Sequence, residues 1–405
     1  MAASVFYVLF FSLASLLPGK SSKAHSSTTP YSTFLVIYPA YNEDAVIRNS
    51  VETFLNQDYP KDHYLLTVVS DHQTDDTNQW LAKQPINLLI PHFGKSSKAR
   101  ALQHAIHNSP TPQLPNSPTP HTFTHVVILD ADNVVAPDYL SLLNAECLAG
   151  HRAIQCHRTA KNTDSDIAVL DGLSEEINNS IFRRGHNRVG LSSALIGSGI
   201  CTDYQWFAAH VDRLSTAGED KELEAMLLDE GIHIHYAEHI VVKDEKVSGD
   251  DNFQRQRLRW MTAQAQCLRA MLPHLPRALA RLNTDYADKT LQQALIPRSI
   301  LLVALPFMAV TTHLINYLLL NSSTPQLLNP LLPLSPLKWW LLLAALAIAL
   351  FAATPAKLLT SRLLTPKILT FTLPRLVLRM MRNILHIRTD NTDFIHTKHG
   401  EQALA

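Results

Sequence analysis

The chain has 405 residues, more than one hydrophobic core usually holds, so a globular domain with additional elements is the starting expectation. Lys plus Arg and Asp plus Glu balance at 35 each, which removes the whole-chain electrostatic case for nucleic acid as a partner. The 4 cysteines, Cys147, Cys156, Cys201 and Cys267, are scattered without CxxC spacing, which argues against a disulfide framework or a zinc site and for a reducing compartment.

The first segment, residues 1–19, is apolar, with no basic residue before it and Lys20 and Lys23 after it. That charge order is the reverse of a signal peptide's, and it predicts an N-terminal transmembrane anchor with its N-terminus outside. FLVIY (Phe34 to Tyr38), YLLTVVS (Tyr64 to Ser70), INLLI (Ile86 to Ile90) and HVVILD (His125 to Asp130) follow as short apolar runs that read as buried parallel strands. Helical patterns, notably Ala45 to Gln57 and Lys98 to Asn108, alternate with them. The chain is therefore expected to form an α/β domain over residues 30–265, with a mostly parallel sheet and a site at the strand C-termini. The Pro-rich stretch Ser109 to Thr122 reads as a solvated loop.

Acidic residues stand just beyond these strands: Glu43 and Asp44, Asp71, then Asp130 and Asp132. Asp44 and Asp76 read equally well as cap or turn residues. In Leu129-Asp130-Ala131-Asp132-Asn133, a strand pleat would present both aspartates on one side and Ala131 on the other. Such paired hard oxygen donors suit Mg²⁺ or Mn²⁺. The 20 histidines, including the alternating His233 and His235, show no HExxH pattern and no carboxylate at ligand spacing, so they read as satisfied or exposed side chains.

Toward the C-terminus, residues 266–298 mix apolar and basic positions and read as an interfacial helical segment. Residues 299–320 and 339–356 carry no charged side chain and are expected to be transmembrane helices, since roughly 20 apolar residues cross the hydrocarbon core. Lys357, Arg362, Lys367, Arg375, Arg379 and Arg382 make 357–405 a basic tail, which the positive-inside rule places in the cytoplasm. These features together predict an integral protein of the cytoplasmic membrane, with residues 20–298 on the cytoplasmic side.

Pro39 to Asp44 (PAYNED), Ser70 to Thr77 (SDHQTDDT), Leu129 to Asn133 (LDADN), Ile196 to Gly199 (IGSG), Gly218 to Asp220 (GED) and Gln256 to Trp260 (QRLRW) occur in that order. The set resembles the GT-A fold of membrane-bound family 2 glycosyltransferases, the branch containing cellulose, chitin and hyaluronan synthases. That resemblance implies a metal-dependent, inverting hexosyltransferase that uses a nucleotide-sugar donor, UDP-linked by first expectation. Its acceptor would be a saccharide or a lipid-linked group at the bilayer. It further implies that Pro39, Tyr41, Glu43, Asp71 and Asp130 bind the donor, that Asp132 with Asp130 holds Mg²⁺ or Mn²⁺, and that Asp220 is the catalytic base. Glu219, Gly197, Ser198, Gln256, Arg257, Arg259 and Trp260 would serve the acceptor and the diphosphate. Two departures stand out: Gly218 replaces the usual Thr of TED, and Leu195 and Ile196 replace the aromatics that precede the glycine at 197 in cellulose synthases. Polymer synthesis is the leading expectation and single transfer to a membrane lipid the alternative. Three spans are few for an export channel, which favours single transfer or a homo-oligomer. A catalytically dead membrane scaffold is the remaining alternative.

Overall fold

The computed structural model describes residues 1–19, 30–110, 122–246, 250–321, 336–360 and 365–377. Most of the Pro-rich loop, the connection between the two C-terminal apolar runs and most of the basic tail lie outside the described residues. Helix α1 (Ala2–Ala14) precedes β1 (Phe34–Tyr41), α2 (Ile47–Phe54), β2 (Tyr64–Asp71), α3 (Asp75–Leu81), β3 (Asn87–Leu89), α4 (Lys98–Asn108) and β4 (His125–Ile128). Then come β5 (Val134–Val135), α5 (Tyr139–Leu148), β6 (Ala153–Ala160) and α6 (Asp166–Asn178). A π-helical stretch (Asn179–Gly185) leads into α7 (His186–Arg188). The remainder is β7 (Ile200–Asp203), α8 (Tyr204–His210), α9 (Glu219–Asp229), β8 (Ile234–Asp244), α10 (Asp250–Met271), α11 (Leu275–Ala280), α12 (Thr284–Ala294), α13 (Arg298–Asn321) and α14 (Pro336–Ala353).

The strands form one sheet in the order β3-β2-β1-β4-β7-β6-β8-β5. The first four run parallel, as expected, but β7 is antiparallel to both β4 and β6, and β5 is antiparallel to β8. The sheet is thus mixed but mostly parallel, since β6 and β8 also pair in parallel and only β7 and β5 are reversed. The two reversed strands, β5 and β7, have only 2 and 4 residues, too few to announce themselves in the sequence. Alternation along β1 divides the core into two layers: Leu35 and Ile37 pack toward α4, α8 and α9, while Phe34, Val36 and Tyr38 pack toward α2 and α5. Amphipathic spacing docks α2, which buries Ile47, Ser50, Val51 and Phe54 on one face. Ser97 caps α4 by accepting from the Arg100 amide at 3.2 Å, which fixes the direction of Lys98 in the first turn.

Among the described residues, two helices, Arg298–Leu318 and Pro336–Ala353, are long and apolar enough to cross a membrane. The N-terminal apolar helix is shorter than these two. Helix α1 has 13 residues, about 20 Å at 1.5 Å per residue, short of the ~30 Å hydrocarbon core. It packs with α13, α14 and the π-helical stretch, burying Val5, Val8 and Phe11 against Ile181, Leu301, Leu305 and Leu346. Gly185 is required by that approach, because a Cβ there would lie 2.2 Å from the Phe11 carbonyl oxygen. The Tyr7 hydroxyl donates to Asp288 Oδ1 at 2.8 Å and lies 2.9 Å from His186 Nε2, while Phe11 stacks on the His186 ring at 3.6 Å. In the segment after Trp260, α10 and α12 pack on α9, and Tyr286, Lys289 and Thr290 of α12 are buried.

Candidate active site

The C-terminal ends of β1 and β2, the turn after β4 and the start of α9 surround an open cleft of about 1300 Å³, including its solvent mouth. Pro39, Tyr41, Glu43, Asp71, Asp130, Asp132, Gly197, Glu219, Asp220, Gln256, Arg259 and Trp260 all line it. Two of the expected site residues do not. Arg257 turns to the other side of α10, where it is ion-paired with the buried Asp171 and lies over the rings of Phe253 and Trp260 at 4.8 and 4.4 Å. Ser198 is fully buried, and its hydroxyl has no hydrogen-bond partner among the described residues.

Backbone conformation sets the cleft floor. Asn42 and His72, directly after β1 and β2, both sit at positive φ, 52° and 59°, a region that non-glycine residues occupy at some cost and mainly where surroundings enforce it. The Asn42 amide donates to the Asp71 carbonyl at 3.2 Å and His72 Nδ1 lies 2.6 Å from Asp71 Oδ1, so the two strand ends are tied together. Asp44 accepts from the Thr74 amide and hydroxyl at 2.9 and 2.7 Å, and Asp76 pairs with Arg48. Both are accounted for structurally.

The two aspartates of the LDADN segment reach the cleft differently from the pleat expectation. Strand β4 ends at Ile128, and Asp130 to Asn133 form a turn closed by the Asn133 amide on the Asp130 carbonyl at 2.9 Å. Asp132 is buried, accepting from the Glu245 amide at 2.7 Å and from Asn133 Nδ2 at 3.0 Å. Asp130 is bound by Lys98, which also donates to the Gly197 carbonyl at 2.6 Å and lies 3.5 Å from Glu219. Burial disfavours the Lys98 ammonium, yet Asp130 and Glu219 outweigh it and hold its pKa above the ordinary value.

Behind the acids lies a buried charge network that sequence reading missed. Glu175 of α6 lies 2.9 Å from Arg158, 3.4 Å from Arg183 and 3.5 Å from Lys246. Burial alone would raise the Glu175 carboxyl, but these three cations hold it well below the usual carboxylate range. Asp244, at the end of β8, pairs with Lys246 at 2.9 Å and Arg158 at 3.4 Å, while its Oδ1 has no hydrogen-bond partner among the described residues. Arg158, Asp244 and Lys246 line the cleft. Asp130, Asp132 and Asp244 thus supply an all-oxygen donor set with one orphaned oxygen, which fits a hard divalent cation rather than a soft one. The same orphaning marks Gln256 Oε1, an acceptor that a ligand hydroxyl would satisfy.

The paired acids of α9 differ in environment. Burial pushes the Glu219 carboxyl up to about 7, with Asp220 and Asp130 adding and Lys98 opposing. Asp220 accepts from the Gly197 amide at 3.0 Å and from the Lys221 amide at 2.9 Å. Gly218, the departure from TED, is explained by packing: a Cβ there would lie 2.8 Å from the Ala263 Cβ of α10. Threonine cannot enter without moving that helix.

A family model described as "Glycosyltransferase like family 2" matches residues 30–263. Comparison with curated protein sequences returns no match. Among solved structures, a mannosyltransferase from Pyrobaculum calidifontis in complex with GDP-Man and Mn²⁺ is similar at a TM-score of 0.51 and 17% identity, covering 87% of this chain and 94% of its own. TarS 1–349 of S. aureus follows at 0.42 and 13%, covering 87% and 88%. Glucosyl-3-phosphoglycerate synthase from Mycobacterium tuberculosis, in complex with Mn²⁺, UDP and phosphoglyceric acid, stands at 0.39 and 16%, covering 62% and 84%.

Proposed function

Because the chain belongs to the glycosyltransferase-like family 2, we propose that it is an inverting, membrane-associated enzyme that moves one sugar from a nucleotide-diphosphate donor to a lipid-linked acceptor. The observation that carries this reading is the convergence of Asp71, Asp130, Asp132, Asp220, Gln256, Arg259 and Trp260 on one cleft in a chain with two helices able to cross a bilayer. In this reading Asp71 receives the base of the nucleotide, and Arg259 offers fork donors to the diphosphate. Asp130 and Asp132, with Asp244 beside them, would hold Mg²⁺ or Mn²⁺, which neutralises a departing diphosphate when bound. Bound Mn²⁺ in the structurally similar mannosyltransferase supports the choice of ion.

Asp220 acts as the base that removes the acceptor hydroxyl's proton, its carboxylate oriented by the Gly197 and Lys221 amides. Glu219 is the supporting acid beside it. Trp260 presents an indole face for an acceptor sugar, steadied from behind by Arg257. Residues 30–265 would make the cytoplasmic catalytic domain, with α13 and α14 in the cytoplasmic membrane and the exposed Phe307, Val310, Leu341 and Phe351 facing lipid. The second reading, polymer synthesis, is favoured by Gln256, Arg259 and Trp260 sharing the cleft wall, the residues that correspond to QxxRW.

The test is to supply membranes containing the protein with a panel of radiolabelled UDP- and GDP-sugars and Mn²⁺. One donor should label a product extracted into organic solvent, and Asp132→Asn should abolish the labelling. A gel-retained product of high mass would move the conclusion to the polymerising reading. Failure of every donor to be transferred or hydrolysed would leave the scaffold reading in its place.

A further inference from the structure

Away from the cleft, at the start of β8, the fold brings together two pairs of residues that the sequence holds far apart, Glu146 with His151 and His235 with His239. Glu146 of α5 is buried, its side chain only 2% exposed. His151 Nε2 lies 3.4 Å from Glu146 Oε2, His235 Nε2 lies 3.3 Å from the same oxygen, and His239 Nε2 lies 3.6 Å from Oε1. All three contacts are long for hydrogen bonds, and Glu146 Oε1 is a buried acceptor with no hydrogen-bond partner among the described residues. A buried carboxylate faced by three imidazoles that fail to close on it requires an explanation.

The spacing supplies one. Ligand atoms about 2.0 to 2.1 Å from a shared ion at the tetrahedral angle lie about 3.3 Å apart, longer than a good N–H to O bond and equal to what Glu146 keeps with His151 and His235. One atom from each of Glu146, His151 and His235 falls within 4.8 Å of the others; His239 lies outside that trio, beside Glu146 Oε1, and would have to swing in as the fourth ligand. The imidazoles are open to solvent, with side chains 33%, 28% and 49% exposed for His151, His235 and His239, so an ion can enter. We propose that Glu146, His151, His235 and His239 form a second metal site, for a borderline transition cation of the Zn²⁺ class. Nitrogen-rich ligation separates it from the all-oxygen set of the cleft, and none of its residues lines the cleft. The rings of His151 and His235 are stacked in parallel at 3.8 Å and 3°, so one of them must rotate about its side chain for both Nε2 atoms to meet one ion. Bound there, the cation would brace α5 and the turn after it against β8, a structural rather than catalytic role.

The full-length protein, stripped with chelator, is titrated with Co²⁺ as a spectroscopic probe and then with Zn²⁺ in competition. One equivalent of Co²⁺ should give the intense visible bands of a tetrahedral site, and Zn²⁺ should bleach them. His235→Gln and the more exposed His239→Gln should each weaken Co²⁺ binding by more than about tenfold, with unchanged far-ultraviolet circular dichroism. Asp132→Asn, in the cleft, should leave the bands intact. Only weak octahedral absorption from the wild type overturns the site, as does tetrahedral Co²⁺ that survives both histidine substitutions in folded protein.

Discussion

The two ends of β8 hold carboxylates of opposite circumstance. At its end, Asp244 is embedded among Arg158 and Lys246, fixed cations that compensate it at every pH the protein meets. Near its start, His235 faces Glu146 together with two further imidazoles, none of them permanently charged. Burying an acid is costly in either case, and the protein answers once with permanent cations and once with nitrogens that can also take a metal. The first arrangement keeps a cleft charged and rigid for an anionic ligand. The second leaves a site whose compensation can be exchanged.

That contrast can be broken by substitutions on the cleft side that leave the histidine side untouched. The largest effect is expected for Asp220→Asn, which should lower turnover by roughly 10² to 10⁴ with donor binding retained. Near-normal turnover would move the base to Glu219, whose raised pKa also suits the task. Smaller is Trp260→Ala, for which transfer should fall by roughly ten- to a hundredfold while donor hydrolysis by water persists. Equal loss of both would make the indole a packing residue only. The smallest effect concerns stability in chelator. Glu219 stays protonated in the folded protein up to about 7, against an ordinary value of 4.5. The native state therefore binds more protons than the unfolded chain in that window, and stability from this group is lost as pH rises through it. Melting curves from pH 5 to 8 should decline less steeply for Glu219→Gln than for the wild type, and parallel declines would refute the assignment. None of these variants should alter the cobalt bands at the other end of β8.

How far the sequence reaches can be judged from single residues. Strand β1 was legible because Phe34 to Tyr38 is apolar and buried on both faces, and the acids beyond it were legible because they interrupt such runs. Arg257 could have been sorted by helical phase: Gln256, Arg259, Trp260 and Ala263 recur at three and four residues and share the cleft, while Arg257 follows Phe253 on another face. The turn at Asp130 to Asn133 was misread as strand because one more alternating pair looks the same in either conformation. Glu175, Arg158 and Lys246 were out of reach, since α6, β6 and the end of β8 meet only in three dimensions. The same holds for Glu146 and its histidines, where local spacing suggested no ligand set at all. The apolar opening segment forms a helix of 13 residues that docks on α13 and α14, contacts that only the fold reveals.

The near-contact between Gly218 and Ala263 has a consequence for anyone recombining this enzyme with its relatives. Threonine at 218, introduced alone, collides with a helix that also carries Gln256, Arg259 and Trp260, so the damage would spread to the cleft wall. With Ala263 first reduced to glycine, the nearest remaining atoms are the 263 Cα at 3.7 Å and Thr216 Oγ1 at 3.8 Å, ordinary contact distances. At the level of the Cβ the two positions are therefore coupled: reducing 263 to glycine removes the contact that bars a side chain from 218.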